Sequence, residues 1–284
     1  MPIALITGCS SGIGHAMAHV FKNAGYDVWA TARKVEDVAR LQAEGFTALE
    51  LDVTDSAALQ ALAERLAQDG GGIDVLINNA GYGAIGALLD GGAETMRRQF
   101  ETNVFALVEV TRALLPALRI RQGLVVNIGS VSGVLVTPFA GVYCASKAAV
   151  HALNEAMRME LKPLGVRVME VQPGAIDTRF AANAGAQAEL TIAPDSPWWP
   201  WREGIRSRSQ ASQTNPTPAA EFAQKVLEAV QAPKTKALVR LGNGSRALPL
   251  LAALVPTALL DRILMKKFGL NQPANTPEKA PIQP

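Results

Sequence analysis

Ile3-Ala4-Leu5-Ile6 followed by Thr7-Gly8-Cys9-Ser10-Ser11-Gly12-Ile13-Gly14 is the stretch that decides the fold. Four apolar residues in a row suit a buried strand. Three glycines in a GxxxGxG pattern then turn the chain into an amphipathic segment. Glycines at such a turn permit a tight reversal and close approach of the backbone to a pyrophosphate, which the helix N-terminus holds. Tight packing of strand on helix is the competing explanation. The place of the loop, after a first strand and before an amphipathic helix, favours a dinucleotide site carrying Gly8, Ser10, Ser11, Gly12, Ile13 and Gly14.

Working outward, further short apolar runs occur at residues 28–31, 48–51, 75–77, 124–128, 166–171 and 237–241. They alternate with amphipathic stretches such as "DSAALQALAERLAQD" and "AETMRRQFETNVFALVEVTRALLPALR". This alternation predicts an α/β fold, a Rossmann-like, doubly wound parallel β-sheet with helices on both faces. Its ligand crevice lies beyond the carboxyl ends of the strands. A single domain over residues 1–270 accommodates the whole pattern.

Composition narrows the alternatives. Of 284 residues, 49% are hydrophobic and 18% charged, enough for a large core. A net charge of +2 gives no case for a nucleic-acid partner. The start, "MPIALITG", lacks the basic region and longer apolar core of a secretory signal. Cys9 and Cys144 form no CxxC pair and read as reduced thiols of a cytoplasmic protein, serving as small hydrophobic filler. His15 and His19 share a helix face without a carboxylate nearby. With His151 they read as ordinary helix residues, and no metal site is expected.

The second strand ends in "VWATARK". Sites that prefer NAD place a carboxylate there for the ribose hydroxyls. Here Ala32 occupies that place and Arg33 follows, which suits a 2′-phosphate and favours NADP(H) over NAD(H). A surface arginine beside Lys34 is the alternative. After the third strand, Asp52-Val53 offers a carboxylate for the adenine amino group, or a cap for the helix beginning near Asp55 and Ser56. Asn78-Asn79-Ala80-Gly81 closes the fourth strand with amides that brace neighbouring loops and a glycine that leaves backbone room. In "YCASK", Tyr143 and Lys147 lie four apart and share one helix face. Taken alone, that pair also fits a packed tyrosine beside a solvated lysine.

The motifs TGCSSGIG, DV, NNAG, Asn103, Ser130, YCASK and PGAIDT follow in order over residues 7–178. In that arrangement the chain resembles a short-chain dehydrogenase/reductase. "GSVSG" followed by "VYCASK" further resembles the branch containing 17β-hydroxysteroid and retinol dehydrogenases. The resemblance implies that Tyr143 is the general acid in carbonyl reduction, or the base in alcohol oxidation. A phenol ordinarily titrates near about 10, and the Lys147 ammonium is expected to stabilise its anion while also holding the nicotinamide ribose. It implies that Ser130, rather than Ser132, bonds the substrate oxygen. Asn103, in "FETNVFA", would hold a water linking Lys147 to solvent. Pro173, Gly174, Ile176 and Thr178 would flank the nicotinamide. A homo-oligomer, dimer or tetramer, is also implied.

Specificity is expected in the irregular substrate loop at 177–218. Its Trp198, Trp199 and Trp201 either close over an apolar ligand or pin the loop to the scaffold. Arg202, Arg206 and Arg208 read as a solvated face. An apolar helical segment at 246–268 contains a charge-free run, 247–260, too short to span a bilayer. It must be covered by the pocket, by another subunit or by a membrane surface, the pocket being the first expectation. Residues 271–284 are polar and proline-rich and are expected to form a disordered tail. The expected function is NADP(H)-dependent interconversion of an alcohol and a carbonyl on a hydrophobic lipid-, steroid- or retinoid-like molecule. The alternative is a non-catalytic dinucleotide-binding protein that keeps the fold.

Overall fold

The computed structural model describes residues 1–68 and 71–272. The first half alternates without exception: β1 (Ile3–Ile6), α1 (Gly12–Asn23), β2 (Asp27–Ala32), α2 (Val35–Ala43), β3 (Thr47–Glu50), α3 (Ser56–Gln68) and β4 (Val75–Asn78). Then come α4 (Leu88–Phe100), α5 (Ala106–Arg121), β5 (Leu124–Ile128), α6 (Gly141–Glu160) and β6 (Arg167–Pro173). The remainder comprises β7 (Ile176–Asp177), α7 (Phe180–Thr191), α8 (Arg202–Gln210), β8 (Thr217–Pro218), α9 (Ala219–Gln231), β9 (Leu238–Leu241), α10 (Ala247–Leu254) and α11 (Thr257–Lys267).

All seven apolar runs become strands of one parallel sheet, in the order β3-β2-β1-β4-β5-β6-β9. Successive side chains of a strand point to opposite faces. Along β1, Ala4 and Ile6 accordingly enter one core with Met17, Phe21 and Phe222. Leu5 enters the other, with Leu66, Leu76 and Leu118. Helices cover both faces, so the doubly wound architecture is present. The strand order reverses between β1 and β4, which opens a crevice at their carboxyl ends.

Buried amides tie this crevice to the rest of the sheet. Asn78 and Asn127 pair in register on β4 and β5. Asn78 Nδ2 donates to Asn127 Oδ1 at 2.9 Å and to Thr111 Oγ1 at 2.9 Å. Asn127 Nδ2 donates in turn to Asn154 Oδ1 on α6 at 3.0 Å.

The region 177–218 is more regular than its sequence suggests. It holds α7 and α8, joined through a 3₁₀ turn at Trp199–Trp201. The inward face of α7 is Ala181, Ala184 and Ala188, a stripe at helical spacing whose residues are too small to stand out as apolar. The 246–268 segment is two helices, α10 and α11, parted at Val255-Pro256. Leu264 and Phe268 pack with Ile85, Phe139 and Ile205, whereas Leu250, Leu254 and Leu259 are exposed. Of the expected tail, residues 271–284, those from 273 onward lie outside the described residues; at its described start Gln272 O accepts a hydrogen bond from Trp201 Nε1 at 3.2 Å. Among the described residues no helix is long and apolar enough to cross a membrane.

Candidate active site

The glycine loop runs from β1 into α1 over the crevice. Gly8 and Gly12 adopt φ of 75° and 61°, a left-handed region that a side chain would strain. Gly14 is needed for space: a Cβ there would stand 2.3 Å from Gly8 O and 2.5 Å from Asn79 Nδ2. The loop is braced from β4. Thr7 Oγ1 accepts the N–H groups of Asn79 and Ala80, each at 3.0 Å. Asn79 Nδ2 donates to Thr7 O at 2.9 Å and Gly8 O at 3.1 Å. A cavity of about 320 Å³ opens beside the loop, lined by Ser10, Ser11, Gly12, His15, Arg40, Glu44 and Arg179.

Two arginines that sequence reasoning passed over reach this loop: Arg40 Nη2 and Arg179 Nη2 donate to Ser10 O at 2.7 Å and 3.3 Å. Arg33 is exposed at the end of β2. Burial pushes the Asp52 carboxyl up, but Thr54 and the Arg33 charge outweigh it and hold it below its ordinary range. Asp52 Oδ1 accepts from Thr54 N at 3.0 Å and Thr54 Oγ1 at 2.7 Å. The cap of α3 is Asp55 instead, whose Oδ1 accepts the N–H groups of Ala57 and Ala58 at 2.8 Å and 3.2 Å. Val53 and Ile176 bury their side chains in the two cores, and Ile13 packs against one of them. On the far side of the crevice Pro173 ends β6, the Gly174 N–H donates to Leu241 O at 2.8 Å, and Thr178 lies over Gly12. Gly81 is exposed, and a Cβ on it would stand 3.0 Å from Asn103 Oδ1.

Ser130, Tyr143, Lys147 and Asn103 come together at the carboxyl end of β5. Ser130 lies two residues past the end of the strand, after Gly129, and its Oγ accepts from the Ser132 N–H at 3.1 Å. The Ser130 side chain is also near enough to the Tyr143 phenol to act on its titration. Burial pushes the Tyr143 hydroxyl above its ordinary value; Ser130 and the charge of Arg208 oppose this, and Cys144 adds to it. Lys147 Nζ donates to Ile128 O at 2.7 Å. Burial lowers its pKa from 10.5 to about 8, against the charge of Glu170. Asn103 sits in a π-helical turn, Glu101–Phe105, between α4 and α5, a distortion that recurs at functional sites. Its Oδ1 accepts from Tyr82 N at 3.1 Å, and its Nδ2 donates to Tyr82 O at 3.0 Å and Ser146 Oγ at 3.2 Å. The Phe180 ring stands 5.5 Å from that of Tyr143, at 52°.

Several sequence readings need correction here. Arg208 is a cation near enough to act on the Tyr143 phenol, while the Lys147 ammonium donates to Ile128 O at the end of β5. Arg208 therefore does not belong to a solvated face: its Nε donates to Thr137 Oγ1 at 2.6 Å beside Tyr143 and Cys144, and burial pulls its pKa down. Arg206 does face solvent, bound to Glu189 at 2.6 Å and Glu203 at 2.5 Å, and Arg202 stacks on Trp199 at 4.7 Å. Trp198 and Trp201 pack with Phe139, Cys144 and Ile205, which pins the loop beside the tyrosine.

His151 is not an ordinary surface residue. One turn beyond Lys147, its Nε2 lies 3.0 Å from Glu170 Oε1, and burial with the Lys147 charge lowers its pKa to about 4. His15 and His19 do have a carboxylate beside them, that of Glu44. Cys9 and Cys144 are free and buried, the Cys9 thiol pushed up to about 12 by burial.

Comparison with known proteins places this geometry. A family model described as short chain dehydrogenase matches residues 2–189. The short-chain dehydrogenase ptmH of Penicillium ochrochloron is 34% identical over 271 residues, covering 94% of this chain and 98% of that protein. The 3-ketodihydrosphingosine reductase of Bacteroides thetaiotaomicron is 39% identical over 191 residues, or 66% of this chain and 69% of that one. Among solved structures, a short chain dehydrogenase from Burkholderia cenocepacia in complex with NADP superposes with a TM-score of 0.72 at 27% identity, covering 93% of this chain and 97% of that one. A short chain dehydrogenase/reductase from Burkholderia phymatum in complex with NAD gives 0.73 at 25% identity, with 98% of each covered.

Proposed function

The chain belongs to the short-chain dehydrogenase/reductase family and is a nicotinamide-dependent oxidoreductase acting on an alcohol/carbonyl pair, and we propose that it prefers NADP(H) and takes a hydrophobic substrate. The observation that carries the reading is the convergence of Ser130, just past β5, on the buried Tyr143 of α6, with Lys147 one turn further along that helix, beside the glycine cradle. A dinucleotide fits this cradle because two left-handed glycines open the turn and Gly14 lets the start of α1 pack closely on it, beside a cavity of about 320 Å³. Gly8, Ser10, Ser11, Gly12, Ile13 and Gly14 would hold the pyrophosphate, with Val53 lying beside Asp52 at the adenine and Ile176 flanking the nicotinamide. Arg33 would meet a 2′-phosphate and Asp52 the adenine. Asn79, Ala80 and Gly81 would border the middle, Tyr143 and Lys147 the ribose, and Pro173, Gly174 and Thr178 the carboxamide.

When bound, the cofactor supplies the hydride chemistry. The protein's part is the proton. In reduction Tyr143 Oη gives its proton to the substrate oxygen while the Ser130 hydroxyl donates a hydrogen bond to the same atom; in oxidation Tyr143 takes the proton. A phenol raised by burial favours the donor form, and the Arg208 charge keeps its anion accessible. Asn103, tied to Tyr82 and Ser146, would hold a water between Lys147 and solvent.

Trp198 and Trp201, part-exposed over the buried Phe139 and Cys144, supply apolar surface near Tyr143, and similarity to a 3-ketodihydrosphingosine reductase supports a lipid-like substrate. The same proposal includes a cytoplasmic homo-oligomer and a peripheral membrane contact, through the exposed leucines of α10 and α11 beside Arg246, Arg262, Lys266 and Lys267.

A homologous series of ketones, assayed with NADPH and NADH in wild type and Tyr143→Phe, tests the reading. Efficiency should rise by about 0.8 kcal/mol per buried methylene. The Phe variant should keep NADPH binding while turnover falls by about 10²–10⁴. A flat chain-length response removes the apolar pocket, and equal use of the two cofactors removes the NADP(H) preference. Undiminished turnover in the Phe variant removes the proposed acid.

A further inference from the structure

His15 and His19 stand one turn apart on α1, and Glu44 follows directly on the last turn of α2. Glu44 Oε2 lies 2.7 Å from His15 Nε2 and 2.9 Å from His19 Nε2. One ligand atom from each residue lies within 4.8 Å of the other two, and among the described residues this is the cluster of three such groups that converges. The two imidazoles meet at 73° with centroids 4.7 Å apart, so their nitrogens point to a common place instead of stacking.

Supporting contacts fix the set. Phe46 packs edge-on against His19 at 5.0 Å. Lys22 Nζ donates to Glu44 O at 2.7 Å. Arg40 Nε stands 3.6 Å from Glu44 Oε1, which leaves Oε2 to the histidines. Such partners orient metal ligands in known sites.

We propose that His15, His19 and Glu44 form a binding site for a transition-metal ion of zinc type. Two imidazole nitrogens and one carboxylate oxygen suit zinc, which leaves a fourth position to water. Calcium and magnesium prefer oxygen ligands throughout. Zinc bonds of about 2.0–2.2 Å place tetrahedral ligand atoms roughly 3.3 Å apart. The present separations reach that by small rotations, which side chains exposed by 33%, 43% and 25% allow.

Competing ligands are poor, since Cys9 and Cys144 are buried thiols with raised pKa and His151 is buried against Glu170.

Isothermal titration of zinc chloride into the metal-free full-length protein tests the site, alongside His19→Ala and Glu44→Gln variants whose folding is checked by thermal melting. Wild type should bind one zinc ion. Each variant should weaken that binding by about tenfold or more, since loss of a mere supporting partner already costs that much. No binding by wild type, or unchanged affinity in either variant, overturns the proposal. Should a variant fail to fold, wild-type crystals soaked in zinc chloride replace it. Anomalous density bounded by the three side chains is then expected, and its absence there is equally decisive against the site.

Discussion

Lys147→Met should make the protein more stable at neutral pH while abolishing turnover. The wild-type ammonium is buried, and burial lowers its pKa from 10.5 to about 8. A displacement of that size is worth roughly 3 kcal/mol against folding with the charge in place. The unfolded chain keeps this proton up to about pH 10.5, whereas the folded protein releases it near 8. Between those limits the unfolded state binds more protons, so wild-type stability rises with pH; below about 8 the full cost is present.

Methionine keeps the length and removes the charge, but Ile128 O loses its donor, at a cost of about 1 kcal/mol. Glu170 also loses a neighbouring cation. The variant should therefore exceed wild type by about 1–2 kcal/mol at pH 7. That advantage should shrink steadily from pH 8 to 10.5. Urea unfolding of both proteins at pH 7, 8, 9 and 10 reads the difference directly, and other titrating groups cancel in it. A difference that stays constant across this range refutes the buried-ammonium argument. So does a variant that is the less stable of the two at pH 7.

Arg33→Ala should reduce the preference for NADPH over NADH by roughly ten- to hundredfold, the value of a charged hydrogen bond of about 1.5–3 kcal/mol, with activity at saturating NADH retained. Dissociation constants from cofactor fluorescence decide this, and an unchanged ratio refutes it. Arg208→Leu should shift the alkaline requirement for alcohol oxidation to higher pH, because it removes a positive charge that favours the Tyr143 phenolate. A pH–rate profile that does not move would show that Arg208 acts only through packing.

The sheet and the main site were legible because their signals are local. Strand periodicity, the glycine loop and the Tyr143/Lys147 spacing each lie within a single element or turn. What stayed hidden depends on chain segments that meet only after folding. Glu44 reaches His15 and His19 across 29 and 25 positions. Arg208 reaches Thr137 across 71 positions, and Glu170 comes to His151 from the neighbouring strand. α7 was missed for a different reason, since an alanine stripe buries too little apolar surface to stand out from its flanks.

The amide chain from Asn78 through Asn127 to Asn154 acts as a gauge on the chemistry some distance away. Asn127 lies three residues before Ser130, and Asn154 eleven residues after Tyr143, which is about 16 Å along the helix axis. The Asn127–Asn154 bond therefore sets how far α6 slides along β5, and with it the gap between hydroxyl and phenol. A slide of one helical turn, about 5.4 Å, would part them entirely. A one-residue slip of β5 would turn Asn127 into the opposite layer, away from Asn154. The tolerance of the catalytic pair is thus machined at the hidden end of the helix, where no substrate ever arrives.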